Sequence, residues 1–214
     1  MALNIEHFLR VRPYLYHLTA RRNYPVLSKD WVLKSANSLF DAAGQTGYRK
    51  LRRKGHLEIT LGAISLTVRD QDRLYKGNMV LTDGWTFEGF VEHLNDHVFF
   101  WPGSGIGPVS SGQRHFERYA AEKPIVMRIP TADLFEANIK SSPHFCKYNS
   151  GAPRCHDGEG IPRGPNTFLK SIDFHFPPTS VVEVTFKSAV CLPLTLEVSN
   201  SPSGPWESCN DFKH

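Results

Sequence analysis

The sequence predicts an α+β protein in which a sheet of short strands packs against a few flanking helices. Short alternating apolar segments outnumber the helical ones, and the two kinds do not follow each other regularly, as they do in a doubly wound sheet. The chain has 214 residues, of which 40% are hydrophobic and 21% charged. A chain of this size buries a sizeable core without disulfides or metal, so we expect one domain over residues 1–214.

The beginning of the chain combines a short helix with a strand that carries polar side chains. Apolar spacing predicts a helix over residues 3–11, and alternation predicts a strand over residues 14–19. Successive strand side chains point to opposite faces, so His17 and Thr19 share one face. Asn23 precedes Tyr-Pro, as an N-cap residue does when proline occupies the first helical turn. The pattern fits either a core strand with a capping asparagine or one wall of a small-molecule site.

Further elements follow from the same apolar patterns. The predictions are one or two helices over residues 23–43, strands over 57–61 and 64–68, a helix capped by Thr82 or Asp83, an aromatic strand over 98–101, a helix over 111–123, a strand over 125–129 and a short helix from Thr131. Arg69 directly follows the strand predicted over residues 64–68. An arginine in that position marks the protein surface or brings a cation to a cleft.

A glycine-rich stretch over residues 103–107 follows the aromatic strand. Its glycine spacing differs from G-x-G-x-x-G, prolines flank it, and no βαβ unit surrounds it. We therefore predict a flexible loop beside a site and not a dinucleotide-binding turn.

The last third begins with a long loop and ends with three predicted strands. Gly, Pro, Asn and Ser are frequent over about residues 141–167, a segment that also contains Arg154 and Arg163. Strands are predicted over residues 168–176, 181–186 and 192–198, followed by a loose polar tail over about 199–214. Glu183 is a lone carboxylate in an apolar strand, and it either points into water from an edge strand or serves as an acid in a cleft.

The charge is distributed unevenly along the chain. Residues 1–80 hold 14 Lys and Arg against 6 Asp and Glu, whereas residues 81–214 hold 11 against 15. The densest basic segment comprises Arg49, Lys50, Arg52, Arg53 and Lys54. Such a segment binds phosphates or forms a solvated helix face, and the two interpretations have equal weight here. The basic first third of the chain favours a polyanionic partner, and we expect a nucleic acid.

The cysteines and histidines do not predict a metal site. The four cysteines form no Cys-x-x-Cys pair, and the spacing of His144, Cys146, Cys155 and His156 matches no common zinc pattern. We expect reduced thiols and no metal. The N-terminal residues contain arginines and no long apolar run, so we expect a cytoplasmic protein without a membrane anchor.

Several of these motifs, taken in order, resemble the pattern of DarT-type ADP-ribosyltransferases. The motifs are His17-x-Thr19-x-x-x-Asn23, the arginine after a central strand at Arg69, and the strand Val182-Glu183-Val184 before Cys191-Leu192-Pro193. The resemblance spans about residues 14–193. It implies an ADP-ribosyltransferase fold, with a split mixed β-sheet, and NAD as co-substrate.

The resemblance also implies a role for each matching residue. Glu183 and Arg69 are the catalytic candidates: Glu183 binds the nicotinamide ribose and stabilises the developing cation, and Arg69 binds the pyrophosphate or the developing charge. The candidates for NAD binding are His17, Thr19, Asn23, Phe99 and Phe100. The nucleic acid candidates are Arg49, Lys50, Arg52, Arg53, Lys54, Arg154 and Arg163.

The function predicted from the resemblance is transfer of ADP-ribose from NAD to a nucleic acid base, with DNA favoured over RNA. Such an activity suits a toxin, and a neutralising partner protein is then a further expectation. Two rival classes remain open: transfer to a protein or NAD hydrolysis alone, and a non-catalytic module that binds nucleotides or nucleic acid.

Overall fold

The computed structural model describes residues 2–155, 157 and 159–212. Its helices are α1 Ile5–Val11, α2 Tyr24–Asp30, α3 Ala36–Ala42, α4 Phe87–Asn95, α5 Ser110–Tyr119 and α6 Thr131–Ala137. Its strands are β1 Tyr14–Thr19, β2 Val32–Lys34, β3 Leu57–Leu61, β4 Ile64–Val68, β5 Met79–Leu81, β6 His97–Ser104, β7 Gly107–Pro108, β8 Ile125–Pro130, β9 His144–Cys146, β10 Ile161–Arg163, β11 Glu183–Lys187, β12 Ala189–Cys191, β13 Glu197–Ser199 and β14 Glu207–Ser208. The α+β class predicted from the sequence is confirmed.

A large antiparallel sheet organises the molecule. Within the described residues its strand order is β14-β13-β8-β1-β6-β11-β9, with β7 paired to β6. Every pairing in this sheet is antiparallel, and in the described chain parallel pairing occurs between β5 and β10, outside it. The mixed pairing that the resemblance implied for the core sheet is therefore wrong: the described strands of the central sheet pair antiparallel, and the parallel pair forms a separate two-stranded sheet.

The sheet opens between β1 and β6. Residues 14–16 of β1 pair with residues 103–101 of β6, and the described ladder between these two strands ends there. Beyond this point β6 pairs along its other edge with β11. The residues of β1 from His17 onward thus diverge from β6 while still pairing with β8, and a cleft begins at the divergence.

Apolar side chains cover both faces of the sheet. The larger cluster includes Leu15, Phe100 and Phe186 on one face, packed under α1 and α6. The other face carries two smaller clusters, one with Phe90 of α4 and one with Tyr16 and neighbours from α5. The helices are amphipathic and short, so their stability comes mainly from this packing.

Some elements differ from the sequence predictions because pairing partners lie far away in the chain. Residues 168–176 form no regular strand, and Leu169 alone bridges to Phe145 there. Residues 192–196 connect β12 to β13, so the strand predicted over residues 192–198 is formed only at its end, in β13. The glycine-rich residues 103–107 form the hairpin between β6 and β7, and the loop over about 141–167 contains β9 and β10. The N-cap of α4 is Thr86, not Thr82 or Asp83.

The C-terminal residues pack on the sheet, although the sequence predicted a loose tail. Strand β14 pairs with β13, and Trp206 contacts Tyr16, with ring centroids 5.9 Å apart. Cys209 is buried, and Phe212 packs against Tyr24. In the part of the chain described, no helix has the length and apolar content needed to cross a membrane.

Candidate functional site

A cleft of about 530 Å³ lies where β1 diverges from β6. Its walls come from β1, the end of β4, β6, α5 and the loop that follows β9. Among the described residues its lining holds nine Lys and Arg side chains but two carboxylates, Asp70 and Asp72. This volume falls in the range of small-molecule sites, and the excess of cations favours an anionic ligand.

His17 lies at the divergence of the two strands and presents a neutral imidazole. Its Nδ1 is 2.9 Å from the carbonyl oxygen of Phe99, so Nδ1 carries the proton and donates. Burial lowers the pKa of His17 to about 4, which keeps the ring neutral at pH 7. The remaining nitrogen, Nε2, is therefore a hydrogen-bond acceptor, suited to a ligand hydroxyl or amide N–H.

Arg69 lines the cleft, and two nitrogens of its guanidinium group have no hydrogen-bond partner among the described residues. Its Nη1 donates to Glu122 at 2.8 Å, and its guanidinium carbon lies 4.5 Å from the centroid of the Tyr119 ring. Its Nε and Nη2 are buried and have no hydrogen-bond partner among the described residues. Buried donors without acceptors are costly, so an anionic ligand in the cleft stabilises this arrangement.

Two other ring nitrogens of the cleft wall are also without partners in the described chain. They are Nε1 of Trp101, a donor, and Nε2 of His97, whose Nδ1 lies 2.8 Å from the carbonyl of His93. The Trp101 ring packs against the ring of His115, with ring centroids 4.4 Å apart. Burial lowers the pKa of both His97 and His115 to about 3, so both are neutral. The cleft thus offers uncharged acceptors and donors beside its arginines.

Glu183 lies directly behind the wall of this cleft. It is 2% exposed and starts β11, which runs between β6 and β9, so it is neither on an edge strand nor in water. Its Oε2 accepts hydrogen bonds from the backbone N–H of Ser150 at 3.0 Å and from Ser150 Oγ at 2.7 Å. Burial raises the pKa of Glu183 to about 7, opposed by Ser150 and by the charge of Arg163.

Two residues that interact with Glu183 form the cleft wall next to it: Ser150, which donates hydrogen bonds to it, and Arg163, whose charge acts on it. Ser150 and Arg163 both line the cleft, as does Val182, the residue before Glu183. Arg163 is 1% exposed, and its guanidinium carbon lies 5.3 Å from the centroid of Tyr148. Oε1 of Glu183 accepts no hydrogen bond among the described residues.

Several of the predicted residues converge at this cleft. His17, Arg69, Phe99, Arg53, Arg154 and Arg163 line it. The predicted loop after residue 141 also contributes, through Lys147, Tyr148 and Asn149. Both diverging strands, β1 and β6, and the loop after residue 141 were thus predicted from the sequence to lie near a site.

Three predicted NAD-binding residues lie elsewhere. Asn23 joins two segments, since its Nδ2 donates to the carbonyl of Thr67 and its Oδ1 accepts from the Thr67 N–H, both at 2.8 Å. Its side chain makes no N-cap hydrogen bond. Phe100 is fully buried in the core cluster on the opposite face of the sheet, and Thr19 is buried outside the cleft lining. These positions hold the strands in place and do not face the cleft.

The basic segment 49–54 is not a continuous phosphate-binding surface. Arg49 pairs with Asp41 at 2.6 Å and with Glu92 at 3.1 Å, and Lys50 lies 3.6 Å from Glu92. Arg52 donates to the carbonyl of Asp72 at 2.6 Å. Arg53 donates to the carbonyl of Arg69 at 2.7 Å and to Asn95 Oδ1 at 2.8 Å. Lys54 is exposed but does not line the cleft.

One face of α5 lines the cleft and was not predicted from the sequence to do so. Ser111, Arg114, His115 and Arg118 line the cleft and are spaced i, i+3, i+4 and i+7, so they lie on one side of the helix. A polar and basic stripe opposite the apolar face was a signal available in the sequence. Ser150 and Trp101 had no such local signal, because their roles depend on contacts with distant residues.

The described residues contain no group of three His, Cys, Asp or Glu side chains that could hold a metal ion. His144 and Cys146 lie on β9, while His156, the fourth member of the zinc pattern considered above, lies outside the described residues. The described thiols of Cys146, Cys155, Cys191 and Cys209 are free.

The fold and the cleft define an α+β protein with a basic, partly enclosed binding site between diverging strands. The chain belongs to a family of unknown function (DUF7002), whose profile matches residues 13–194. The matched region contains β1, β6, β11 and α5, and therefore the whole cleft. Neither the curated proteins nor the solved structures searched contain a match to the chain.

Proposed function

We propose that the protein is a NAD-dependent mono-ADP-ribosyltransferase that modifies a nucleic acid base, DNA in preference to RNA, and releases nicotinamide. The observation that carries the proposal is the convergence of His17, Arg69 and Phe99 on one basic cleft, with Glu183 behind its wall. These four residues are far apart in sequence. The DarT-like motif order assigns His17, Arg69 and Glu183 to NAD binding and catalysis, and Phe99 is one of the two candidates for stacking on the nicotinamide.

The chemistry of the cleft lining fits NAD. The free nitrogens of Arg69 and the indole N–H of Trp101 suit the oxygens of the pyrophosphate. The neutral Nε2 of His17 accepts a hydrogen bond from a ribose hydroxyl. Phe99 lines the cleft and supplies a ring surface for the nicotinamide.

In the proposed reaction the bond between ribose C1′ and the nicotinamide nitrogen breaks, and its electron pair leaves with neutral nicotinamide. A new bond forms between C1′ and a ring or amino nitrogen of the acceptor base, which gives up its proton to a carboxylate or to water. The transition state resembles an oxocarbenium ion. The ionised carboxylate of Glu183 stabilises that charge through the ribose hydroxyl, and the fixed donors of the cleft hold the phosphates in place.

The test is incubation with NAD labelled in its adenylate half, together with single-stranded DNA, duplex DNA, RNA or a cell lysate in separate reactions. We expect nicotinamide release and labelled single-stranded DNA. Release without a labelled macromolecule would identify a NAD hydrolase, and labelled protein would identify another acceptor. Wild-type protein that binds NAD but releases no nicotinamide would exclude the transferase. A chelator is expected to leave turnover unchanged.

Glu183→Gln removes the negative charge but keeps the size and much of the hydrogen bonding of the side chain. We expect NAD affinity to change little and turnover to fall about 100- to 10,000-fold, because the charge acts mainly in the transition state. Glu136→Gln, on the exposed side of α6, is the matched control and should retain full turnover. A fully active Glu183→Gln variant would rule out the catalytic assignment.

A further inference from the structure

A second cavity of about 250 Å³ adjoins the cleft. It shares Arg73, Arg118 and Arg154 with the cleft lining, and Tyr75 and Asn78 complete much of its wall. The three arginines come from three separate segments: the loop after β4, helix α5 and the loop after β9. The fold therefore brings together three guanidinium groups that are distant in the sequence.

These arginines have no carboxylate partner among the described residues. The ion pairs of the described chain do not include Arg73, Arg118 or Arg154, and all three are exposed. The nearest acids of the cleft are already engaged. Asp70 accepts from the Tyr119 hydroxyl at 3.0 Å and lies 2.9 Å from His56, and Asp72 lies 3.9 Å from Arg52.

Exposed tyrosine rings lie in the walls of the second cavity and of the neighbouring cleft. Tyr75 is 44% exposed, and the guanidinium carbon of Arg52 lies 5.1 Å from its ring centroid. Tyr148 is 42% exposed and lines the neighbouring cleft. Planar guanidinium groups bind phosphate esters through paired hydrogen bonds, and exposed rings stack on unpaired bases.

We infer that Arg73, Arg118 and Arg154 form a phosphate-ester subsite that holds the backbone of a single-stranded nucleic acid beside the cleft. The strand is the acceptor of the reaction, a role that rests on the proposed function, whereas the binding itself does not. The subsite replaces segment 49–54 as the nucleic acid contact, because four of the five cations of that segment contact other residues of the protein. A base next to the bound phosphate then reaches the cleft in which NAD lies.

The experiment measures the anisotropy of a fluorescent single-stranded DNA 12-mer of mixed sequence at several salt concentrations. The variant R73Q/R118Q/R154Q is compared with the matched control K29Q/K54Q/K140Q, which removes three exposed charges away from both cavities. Melting temperature is recorded for both, since all six side chains are exposed and should not affect folding.

We expect the arginine variant to bind the strand at least about 10-fold more weakly. The slope of log affinity against log salt should fall by about two, since each phosphate contact to a single strand contributes about 0.7. The control variant should keep most of the wild-type affinity. Equal losses in the two variants, unchanged binding in the arginine variant, or tighter binding of a duplex 12-mer would overturn the subsite.

Nicotinamide release and NAD affinity, measured on the same proteins, separate this inference from the proposed function. Loss of strand binding in the arginine variant, in a protein that never releases nicotinamide, supports the subsite and excludes the transferase. Normal NAD turnover with unchanged strand binding in that variant supports the transferase and overturns the subsite. Competition by inorganic pyrophosphate at equal phosphate concentration would show a site for free phosphate and overturn the strand proposal.

Discussion

At the scale of single residues, the ionisation of Glu183 depends on two opposing effects. Burial raises the pKa of its carboxyl group to about 7, while the two hydrogen bonds from Ser150 and the charge of Arg163 lower it. Near neutral pH the group is therefore divided between its two protonation states. Such a balance makes the stability of the protein sensitive to pH, and the proposed catalysis as well, in ways that a surface carboxylate would not show.

The pH dependence of stability follows from the raised pKa. The folded state keeps a proton on Glu183 up to about pH 7, whereas an unperturbed carboxyl releases it near 4.5. The stabilisation of the protonated form is complete below about pH 4.5 and is lost as the pH rises through about 7. We expect the Tm of Glu183→Gln, relative to wild type, to rise between pH 5 and 8 in parallel melting experiments. A constant difference in Tm would show that the pKa is not raised.

Ser150→Ala tests how the carboxylate is held. The substitution removes the 2.7 Å hydrogen bond from Oγ and keeps the one from the backbone N–H. Because that bond favours the ionised form, its loss should raise the pKa of Glu183 further, so that turnover reaches its plateau at higher pH than in wild type. The pH profile of kcat/KM measures this shift. Ser141→Ala, at an exposed position outside the cleft, should leave the profile unchanged.

At the scale of elements, segment 46–54 joins α3, α4 and the end of β4 through its basic side chains. The 3-10 turn at Thr46–Lys50 brings Arg49 to Asp41 of α3 and Glu92 of α4. Arg53 reaches across to Asn95 and to the carbonyl of Arg69. Most cations of this basic segment therefore contact other residues of the same chain, and the contact of Arg53 with the carbonyl of Arg69 helps to position the segment that carries Arg69.

Arg53→Gln and Lys54→Gln form a matched pair for this element. Both remove one positive charge, but Arg53 is partly buried, which lowers its pKa to about 10, whereas Lys54 is exposed. Loss of its hydrogen bonds to Arg69 and Asn95 should destabilise the protein by about 1–3 kcal/mol. Lys54→Gln should change stability by less than about 0.5 kcal/mol. Chemical denaturation of both variants measures the difference, and equal stabilities would show that Arg53 is not a structural contact.

At the scale of the whole molecule, the divergence of β1 from β6 separates two groups of elements around the cleft. The first part of the cleft wall consists of β1, α5 and the end of β4. The second part is the segment after β9, which includes Ser150 and Arg163. A ligand that contacts both parts of the wall stabilises their relative position. Three buried nitrogens of the cleft wall, Nε and Nη2 of Arg69 and Nε1 of Trp101, have no hydrogen-bond partner among the described residues.

NAD should therefore stabilise the protein more than nicotinamide or ADP-ribose does alone. At about 100 times its Kd a ligand stabilises the folded state by about 2.7 kcal/mol, which raises the Tm. Hydrogen exchange should slow in residues 147–152 and at the start of α5 when NAD is bound. Stabilisation by ADP-ribose equal to that by NAD would place the nicotinamide outside the cleft.

The sequence by itself determined much of the local structure. Alternating apolar residues predicted β1, β3, β4 and the aromatic part of β6, and helical spacing predicted α1, α5 and α6. These patterns are local because a strand or helix repeats every two or 3.6 residues and buries one face. Motif order also led to His17 and Arg69, which line the cleft, and to Glu183, which is buried behind its wall.

Only the tertiary structure decided which polar residues face the cleft and which hold the fold. Asn23 binds the backbone of Thr67, Arg53 binds Asn95, and Ser150 binds Glu183, each across more than 30 residues of sequence. A side chain's local sequence does not reveal such a partner, because hydrogen bonds and ion pairs form with whatever the fold brings near. Burial of Glu183 and the gathering of three arginines beside the cleft depend in the same way on how distant strands and loops pack together.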